Sequence, residues 1–518
     1  MGGGSSSCAA AAAAAYKPRA PKDPREPLGQ IFEHIDGRVA EYVALLEQAV
    51  GIPSISAEPG RRPQVFEMVR FYTEYMTKLG VQHELRELGK HLCNGQELDL
   101  PPVIVGRYGE DANKPTICVY GHLDVQPAAK EDGWNTDPFV LTYAPRSEEE
   151  DAAAGYGDFP SGGKLFGRGS TDDKAPALAW LIIIEAFQTL KLDFPVNLLF
   201  LVESMEESGS EGLDNVVEKE FAEGGFLEKA EAICVADNNW LGTRKPCIQY
   251  GLRGICYFFL EVAGPIKDLH SGRFGGSVHE PMVDLVNLLQ SLVDTNGNIL
   301  VPGVLDSVKK LTPEEEKLYE GIDFPLEGQR QASGCEKLMH NDDQKKALMH
   351  IWRYPALSVH GIEGCHSGPG AKTVIPAKVT GKFSIRLVPD QDPRTIEELV
   401  EKHCEAVFKK LGSPNHIKIY SEHGAKGFSG DPSDTNYSAA RKAVECVYGV
   451  APDLTRSGGS IPVALTMQET GRSVVLFPMG RNDDGHHGQN EKLDLNNFMC
   501  GIKAQAAYLV EFAAGKAK

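Results

Sequence analysis

Short apolar runs alternate with amphipathic helical runs along most of this 518-residue chain. Residues 116–120, 196–202 and 232–236 are apolar runs of strand length, and residues 175–190 have the length and pattern of a helix. Chains with this alternation fold into a sheet with helices packed on its faces. The sequence therefore predicts an α/β fold.

The character of the sequence changes between residues 248 and 423. Strand-like segments such as 256–262 and 378–387 occur there with helical stretches between them, which predicts a second, α+β domain inserted into the first. We expect a low-complexity tail and linker at 1–29, one domain built from 30–247 and 424–518, and the inserted domain at 248–423.

Net charge and cysteine content indicate which partners and which cellular compartment suit this protein. A net charge of −19 argues against nucleic acid or an anionic membrane as partner, because both demand basic surfaces. The 11 cysteines are odd in number and form no CxxC pair, which indicates free thiols in a reducing, cytoplasmic setting. No signal peptide is found, and no run reaches the ~18 apolar residues of a membrane span.

The N-terminal residues 2–8 and the acidic segment 144–161 have no place in the α/β pattern. Gly2 with Ser6 fits the N-myristoylation pattern and Cys8 offers a site for a second lipid, although the simpler interpretation is a low-complexity tail. Membrane attachment is expected only if Gly2 and Cys8 are lipidated. Residues 144–161 are acidic and rich in Gly and Ala, which predicts a solvated loop.

Polar side chains that can bind metals follow the predicted strands directly. The carboxyl ends of strands in an open α/β sheet meet at one edge, where such sheets bind ligands. Each group alone has an ordinary structural explanation, such as a surface histidine or a helix cap. Together they would repel one another unless cations neutralised them, which predicts a two-metal site. The groups are His122, Asp124, Asp172, Asp173, Glu206, Glu207 and Asp237.

Five motifs resemble, in order and context, those of the cytosolic nonspecific dipeptidases. These enzymes are relatives of carnosinase within the di-zinc carboxypeptidases and aminoacylases. The resemblance runs from about residue 30 to about residue 512, and it implies a three-layer α/β/α catalytic domain of the zinc-exopeptidase type. It also implies that the inserted domain is a ferredoxin-like lid and dimerisation domain. The motifs are residues 120–127, 167–174, 205–212, 268–272 and 489–491.

The resemblance implies a role for each metal ligand. His122 and Asp237 would bind one ion, Glu207 and His487 the other, and Asp172 would bridge both. This mixed nitrogen and oxygen set suits zinc or manganese. In this family the peptide bond between Asp172 and Asp173 is cis. Because residues 486 and 487 are both histidines, the ligand could instead be His486; the fixed distance to Asn490 favours His487.

The remaining catalytic roles also come from the resemblance. Asp124 would orient His122, and Glu206 would act as the general base on a water bridging the two ions. His270 would reach the active site of the partner subunit and stabilise the oxyanion, which implies a homodimer. The expected substrate contacts are Arg386 on the substrate carboxylate, with Thr373, His423, Ser460, Asp237 and His270.

The predicted activity is metal-dependent hydrolysis of small dipeptides, with Xaa-Gly, Cys-Gly and carnosine-like substrates all open. Cys-Gly would link the enzyme to glutathione breakdown. One alternative is an aminoacylase-type amidohydrolase acting on N-acyl amino acids. Another is a non-catalytic scaffold, although all expected ligands and the base are present. A serine or cysteine hydrolase is disfavoured because its signatures are missing.

Overall fold

The computed structural model describes residues 7–22, 24–93, 95–147, 162–324, 326–340, 343–459 and 461–516, and at residues 331, 332, 423 and 462 it describes the backbone. The chain forms two compact units. The first takes its described residues from Met1–Tyr250, Gly430–Thr455 and Thr466–Lys518, and the second takes them from Gly251–Ser429 and Arg456–Leu465. The functions predicted for the two domains stay predictions.

The helices are numbered in chain order. They are α1 (Ser7–Ala15), α2 (Leu28–Asp36), α3 (Val39–Val50), α4 (Arg62–Lys78), α5 (Lys174–Leu190), α6 (Leu213–Phe221), α7 (Ser271–Phe274), α8 (Pro281–Gln290), α9 (Pro313–Leu318), α10 (Leu326–Ser333), α11 (Gln344–Trp352), α12 (Pro393–Leu411), α13 (Thr435–Tyr448), α14 (Pro462–Glu469) and α15 (Leu495–Lys516).

The strands are numbered in the same way. They are β1 (Gln82–Arg86), β2 (Lys90–Cys93), β3 (Gln96–Asp99), β4 (Val103–Tyr108), β5 (Thr116–His122), β6 (Thr142–Ala144), β7 (Lys164–Phe166), β8 (Asn197–Glu203), β9 (Ala232–Val235), β10 (Cys247–Leu252), β11 (Gly254–Ala263), β12 (Leu269–His270), β13 (Ala356–Glu363), β14 (Val374–Ile375), β15 (Lys378–Leu387), β16 (His416–Ala425), β17 (Phe428–Ser429), β18 (Asp453–Ser457), β19 (Ser473–Leu476) and β20 (Lys492–Asp494).

The first unit is built on a mixed sheet in the order β1-β4-β8-β5-β9-β19-β10. Its centre is parallel, because β5 pairs with β8 and β9, and β19 pairs with β9, all in the same direction. Strands β5, β8 and β9 are buried along their whole length, as expected of parallel strands covered on both faces. The predicted α/β fold is confirmed.

Helix α5 (Lys174–Leu190) lies in the connection from β5 to β8, after β6 and β7. Its apolar residues surround the helix on nearly all sides, and accordingly almost the whole helix is buried. It packs against β5, while α13 packs against β19 and α15 packs against both helices. The N-terminal end of α5 therefore lies fixed beside the carboxyl end of β5, where the candidate site lies.

The second unit contains an antiparallel sheet in the order β13-β15-β11-β16. Every second residue of β11 is buried, which is the pattern of a strand with one face against a core. Helices α8 and α12 pack against this sheet, and the stacked rings of Phe258 and Phe383, 4.9 Å apart, lie among its buried core residues. This arrangement is the α+β type expected of the inserted domain.

Part of the predicted low-complexity tail forms helix α1. The helix packs against α3 and β6, with Cys8, Ala9 and Ala12 buried. Burial raises the pKa of the Cys8 thiol to about 11, and lipidation of Gly2 and Cys8 stays a prediction. Gly2 and the acidic residues 148–161 lie outside the described residues. None of the described helices is both long and apolar enough to cross a membrane.

Candidate metal centre

The predicted ligands come together at the carboxyl ends of the parallel strands of the first unit. β5 ends at His122, and the chain after β8 and β9 carries Glu207 and Asp237. Asp172 lies just before α5, and His487 lies in the loop between β19 and β20. Five candidate ligands from five separate segments therefore meet at one sheet edge.

The first ligand set consists of His122, Asp172 and Asp237, each offering one atom within 4.8 Å of the others. His122 Nε2 lies 3.0 Å from Asp172 Oδ1 and 3.9 Å from Asp237 Oδ2. All three side chains are buried. Three donor atoms at such separations can share one cation.

The second ligand set consists of Asp172, Glu207 and His487. His487 Nε2 lies 3.2 Å from Asp172 Oδ2 and 3.1 Å from Glu207 Oε2. Asp172 therefore presents one carboxylate oxygen to each set. A carboxylate shared in this way can bridge two cations.

The electrostatics of the site fit a bound cation. Burial and then the charge of Asp172 raise the pKa of Asp237 to about 6. Burial also acts to raise the pKa of Asp172, but His122 and His487 hold it well below its usual value. Among the described residues, the ion-pair partners of Asp172 are histidines. Divalent cations would compensate these clustered carboxylates, and the imidazole and carboxylate donors suit zinc or manganese.

Asp124 connects His122 to the loop that carries Glu206. His122 Nδ1 lies 3.1 Å from the main-chain oxygen of Asp124 and 3.4 Å from its carboxylate. The same carboxylate accepts hydrogen bonds from the backbone amides of Glu206 and Glu207, at 3.2 and 3.1 Å. Burial raises the pKa of Glu206 well above its usual value; Asp237, Glu207 and Asp124 add to the rise, and His122 opposes it. Asp124 therefore positions both the imidazole and the predicted base.

The two adjacent histidines differ in their contacts. His487 Nε2 contacts both Asp172 and Glu207, whereas His486 Nδ1 lies 3.6 Å from Asp172 Oδ2. The hydrogen-bonded carboxylates of Asp172 and Glu207 raise the pKa of His487 to about 10. The backbone of His487, at a φ of 59°, lies in the left-handed region. This geometry favours His487 as the ligand.

Three further side chains hold the candidate ligands, and this supporting role was not predicted from the sequence. Asp173 Oδ2 accepts a hydrogen bond from the backbone amide of His122 at 3.1 Å. Gln126 donates to Glu207 Oε2 at 2.7 Å, and Glu491 accepts from the loop before Asp172. All three lie inside the motifs that carry the family resemblance, which is the signal that could have identified them. The peptide bond between Asp172 and Asp173 is cis, as the resemblance implied.

Apart from Asp237 in the first unit, the predicted substrate contacts for which the structure describes a position lie in the second unit. His270 and Thr373 are exposed neighbours, since β12 pairs with β14 and the amide of Ser271 donates to Thr373 O at 3.2 Å. Arg386 lies partly buried on β15, opposite Ile255 of β11. The backbone of His423 belongs to β16, and Ser460 lies outside the described residues.

The sequence model of Peptidase family M20/M25/M40 matches residues 118–511, which include both ligand sets. The chain belongs to this family. It is therefore a peptide-bond hydrolase that uses divalent metal, and the predicted resemblance is confirmed. The aminoacylase and scaffold alternatives are not favoured.

Two relatives show how far the similarity extends. The Cys-Gly metallodipeptidase of Schizosaccharomyces pombe is 48% identical over 488 residues, which cover 94% of this chain and 98% of the relative. The Beta-Ala-His dipeptidase of Homo sapiens is 45% identical over 498 residues, which cover 95% of this chain and 94% of the relative. The chain is thus a metallodipeptidase of the M20/M25/M40 family.

Solved structures of dipeptidases share the whole fold. The di-peptidase Dug1p from Saccharomyces cerevisiae matches with a TM-score of 0.81 at 45% identity, covering 94% of this chain and 99% of that one. Human carnosine dipeptidase 1 also matches with a TM-score of 0.81, at 44% identity, covering 95% and 100%. The predicted fold class is confirmed at this level.

Proposed function

We propose that this M20/M25/M40 metallodipeptidase holds two divalent ions, zinc or manganese, and hydrolyses dipeptides of the Xaa-Gly, Cys-Gly or β-Ala-His type. The observation that carries the proposal is the shared carboxylate: Asp172 offers one oxygen to His122 and the other to His487. The similarity to Cys-Gly and Beta-Ala-His dipeptidases supports the substrate class. Cys-Gly hydrolysis would place the enzyme in glutathione breakdown, and the cytoplasm stays its predicted location.

The roles of the chain's own residues follow from their places in the site. Divalent cations, when bound, lower the pKa of water and polarise a carbonyl group. Glu206, held by Asp124 next to the ligand Glu207, would accept a proton from the attacking water and deliver it to the leaving amine. Asp124 keeps this base and His122 in a fixed relation, which limits the reorganisation needed during the reaction.

The proposal assigns substrate recognition to Asp237 of the first unit and to residues of the inserted segment and its neighbours. Arg386 would bind the substrate carboxylate, a task that suits a planar guanidinium group. Thr373 and His423, together with Ser460, would contact the rest of the dipeptide. His270 would stabilise the oxyanion in the active site of the partner subunit, so the active form would be a homodimer. The exposed positions of His270 and Thr373 are compatible with contacts outside their own unit.

The deciding experiment measures hydrolysis of Cys-Gly, β-Ala-His and an N-acetylated amino acid by metal-stripped enzyme after zinc or manganese is added back. We expect added metal to restore cleavage of free dipeptides and to leave the acetylated control intact. Glu206→Gln should lower kcat by about 10²–10⁴-fold while metal binding persists. The exposed Glu218→Gln is the matched control and should behave as wild type. Cleavage of the acetylated compound alone would refute the proposal.

A further inference from the structure

A fully buried carboxylate, that of Glu491, holds the loop that carries Asp172. Its Oε2 accepts hydrogen bonds from Arg168 Nη1 at 2.7 Å and from the amide of Gly169 at 3.0 Å. Its Oε1 accepts from the amides of Thr171 and Asp172 at 3.0 and 3.2 Å. One carboxylate therefore receives four donors, and the last of these belongs to Asp172 itself.

The same contacts bind this loop to the segment that carries His487. The other terminal nitrogen of Arg168 donates to the main-chain oxygen of Gly488 at 3.0 Å, and the amide of Gly167 donates to Glu491 O at 3.0 Å. Thr171 Oγ1 donates to Asp484 Oδ2 at 3.1 Å. Asp172 and His487 are thus held by one network of buried bonds.

A cluster of ion pairs, most of them buried, lies on both sides of His487 in the chain. Lys492 Nζ lies 2.5 Å from Asp484, 3.1 Å from Asp494 and 3.0 Å from Asp483. Asp494 also pairs with Arg146 and Arg481, each at 3.0 Å. Three cations balance three carboxylates here, so the cluster is neutral overall and fixes both ends of the segment.

Two glycines permit the close approach of these segments. Gly169 has a φ of 82°, and an added Cβ would lie 2.7 Å from Val125 and 3.0 Å from Lys174. At Gly480 an added Cβ would lie 2.4 Å from Thr171 Oγ1 and 2.7 Å from Asp484 Oδ2. A side chain at either position would push the Asp172 loop away from its partners.

We propose that Glu491 is a positioning residue that fixes the shared ligand Asp172 relative to His487, and so sets the geometry of both metal sites. This inference rests on the proposed two-metal site. Glu491 touches neither substrate nor metal in this scheme; it acts through the backbone of the Asp172 loop. A carboxylate is required because all four of its partners are donors, and an amide would turn an N–H group toward one pair of them.

The test compares Glu491→Gln with wild type by zinc affinity and by the visible absorption spectrum of the cobalt(II)-substituted enzyme. We expect zinc affinity to fall about 10- to 100-fold, as for other residues that support metal ligands, together with a changed cobalt spectrum. Glu220→Gln is the matched control, because Glu220 is also buried and accepts from Arg86 and from the amide of Phe226. That control should leave affinity and spectrum unchanged.

A second variant covers the case in which Glu491→Gln does not fold. Arg168→Lys keeps the positive charge and the three amide donors but removes the guanidinium bonds to Glu491 and Gly488, so zinc affinity should still fall several-fold. Unchanged affinity and spectrum in a folded Glu491→Gln, or in Arg168→Lys if Glu491→Gln is unfolded, would overturn the inference. The proposed metal site fails separately if Asp172→Asn binds zinc as tightly as wild type.

Discussion

Single carboxylates that accept backbone amides position the ligands of this metal centre. Asp173 accepts from the amide of His122, Asp124 from those of Glu206 and Glu207, and Glu491 from that of Asp172. In each case the acceptor holds the main chain and leaves the ligand side chain free to bind metal. Charged acceptors form stronger hydrogen bonds than neutral ones, so these loops are well ordered before metal arrives.

The two adjacent histidines should respond differently to replacement. We expect His487→Ala to lower zinc affinity about 100-fold, because the His487 imidazole lies within 3.2 Å of both Asp172 and Glu207. His486→Ala should change it by less than about fivefold, since its ring is 3.6 Å from Asp172 and touches no second ligand among the described residues. Metal content and affinity measured on both purified variants decide the matter. A larger loss of zinc affinity in His486→Ala than in His487→Ala would instead identify His486 as the ligand.

The sequence allowed the candidate ligands and the supporting residue Asp124 to be predicted, but it did not show that Asp173 and Glu491 hold the ligand loops. His122, Glu207 and Asp237 follow apolar strands, and strand ends meet at one edge whatever the details of packing. Bonds from Asp173 or Glu491 to backbone amides leave no periodic pattern, because any residue supplies an amide. Identifying them requires the distances themselves.

Helix α1 forms within a segment that the sequence pattern predicted to be a low-complexity tail. An alanine run has high helix propensity but no amphipathic period, so it resembles a low-complexity tail in sequence. The structure places its small side chains against α3 and β6, and Tyr16 directly after it bonds to Asp36. Lys503 of α15 reaches the same Asp36 at 2.8 Å, so this segment is attached to the body of the first unit.

Thiol labelling tests whether α1 is docked in solution. Cys335 is exposed, whereas Cys8 is 9% exposed. The Cys8 thiol, with a pKa of about 11, is ionised in roughly one molecule in a thousand at pH 8. We expect iodoacetamide to label Cys335 rapidly and Cys8 only after denaturation, as read by peptide mass spectrometry. Equal labelling rates for the two cysteines in native protein would show that the helix is not docked.

At the scale of the whole molecule, the predicted homodimer divides each active site between two chains. The predicted base and metal ligands lie in the first unit, and His270 would come from the second unit of the partner subunit. The prediction of an inserted domain rests on the different strand and helix patterns of residues 248–423 and of the rest of the chain. Which residues from separate chains meet is a property of assembly, and no pattern within one sequence encodes it directly.

Mixing two inactive variants tests this division. Glu206→Gln lacks the base and His270→Ala lacks the oxyanion donor, but a mixed dimer would contain one complete site. After joint refolding in equal amounts, we expect activity to recover to about one quarter of wild type, since half of the dimers are mixed. As a control, the double variant Glu206→Gln/His270→Ala refolded together with either single variant should stay inactive, because no mixed dimer then contains a complete site. No recovery above the separate variants would contradict a shared site.

The bond between Asp172 and Glu491 joins residues 319 positions apart. At a synthesis rate of about 5–20 residues per second, roughly 15 to 60 s pass between the emergence of the two. For nearly all of that interval, a nascent chain on the ribosome lacks both His487 and the Glu491 carboxylate that holds the Asp172 loop. In the proposed two-metal scheme, Asp172 would acquire its final environment only after the segment with His487 and Glu491 has been translated and folded. A chain that still lacks this segment would carry no complete two-metal centre.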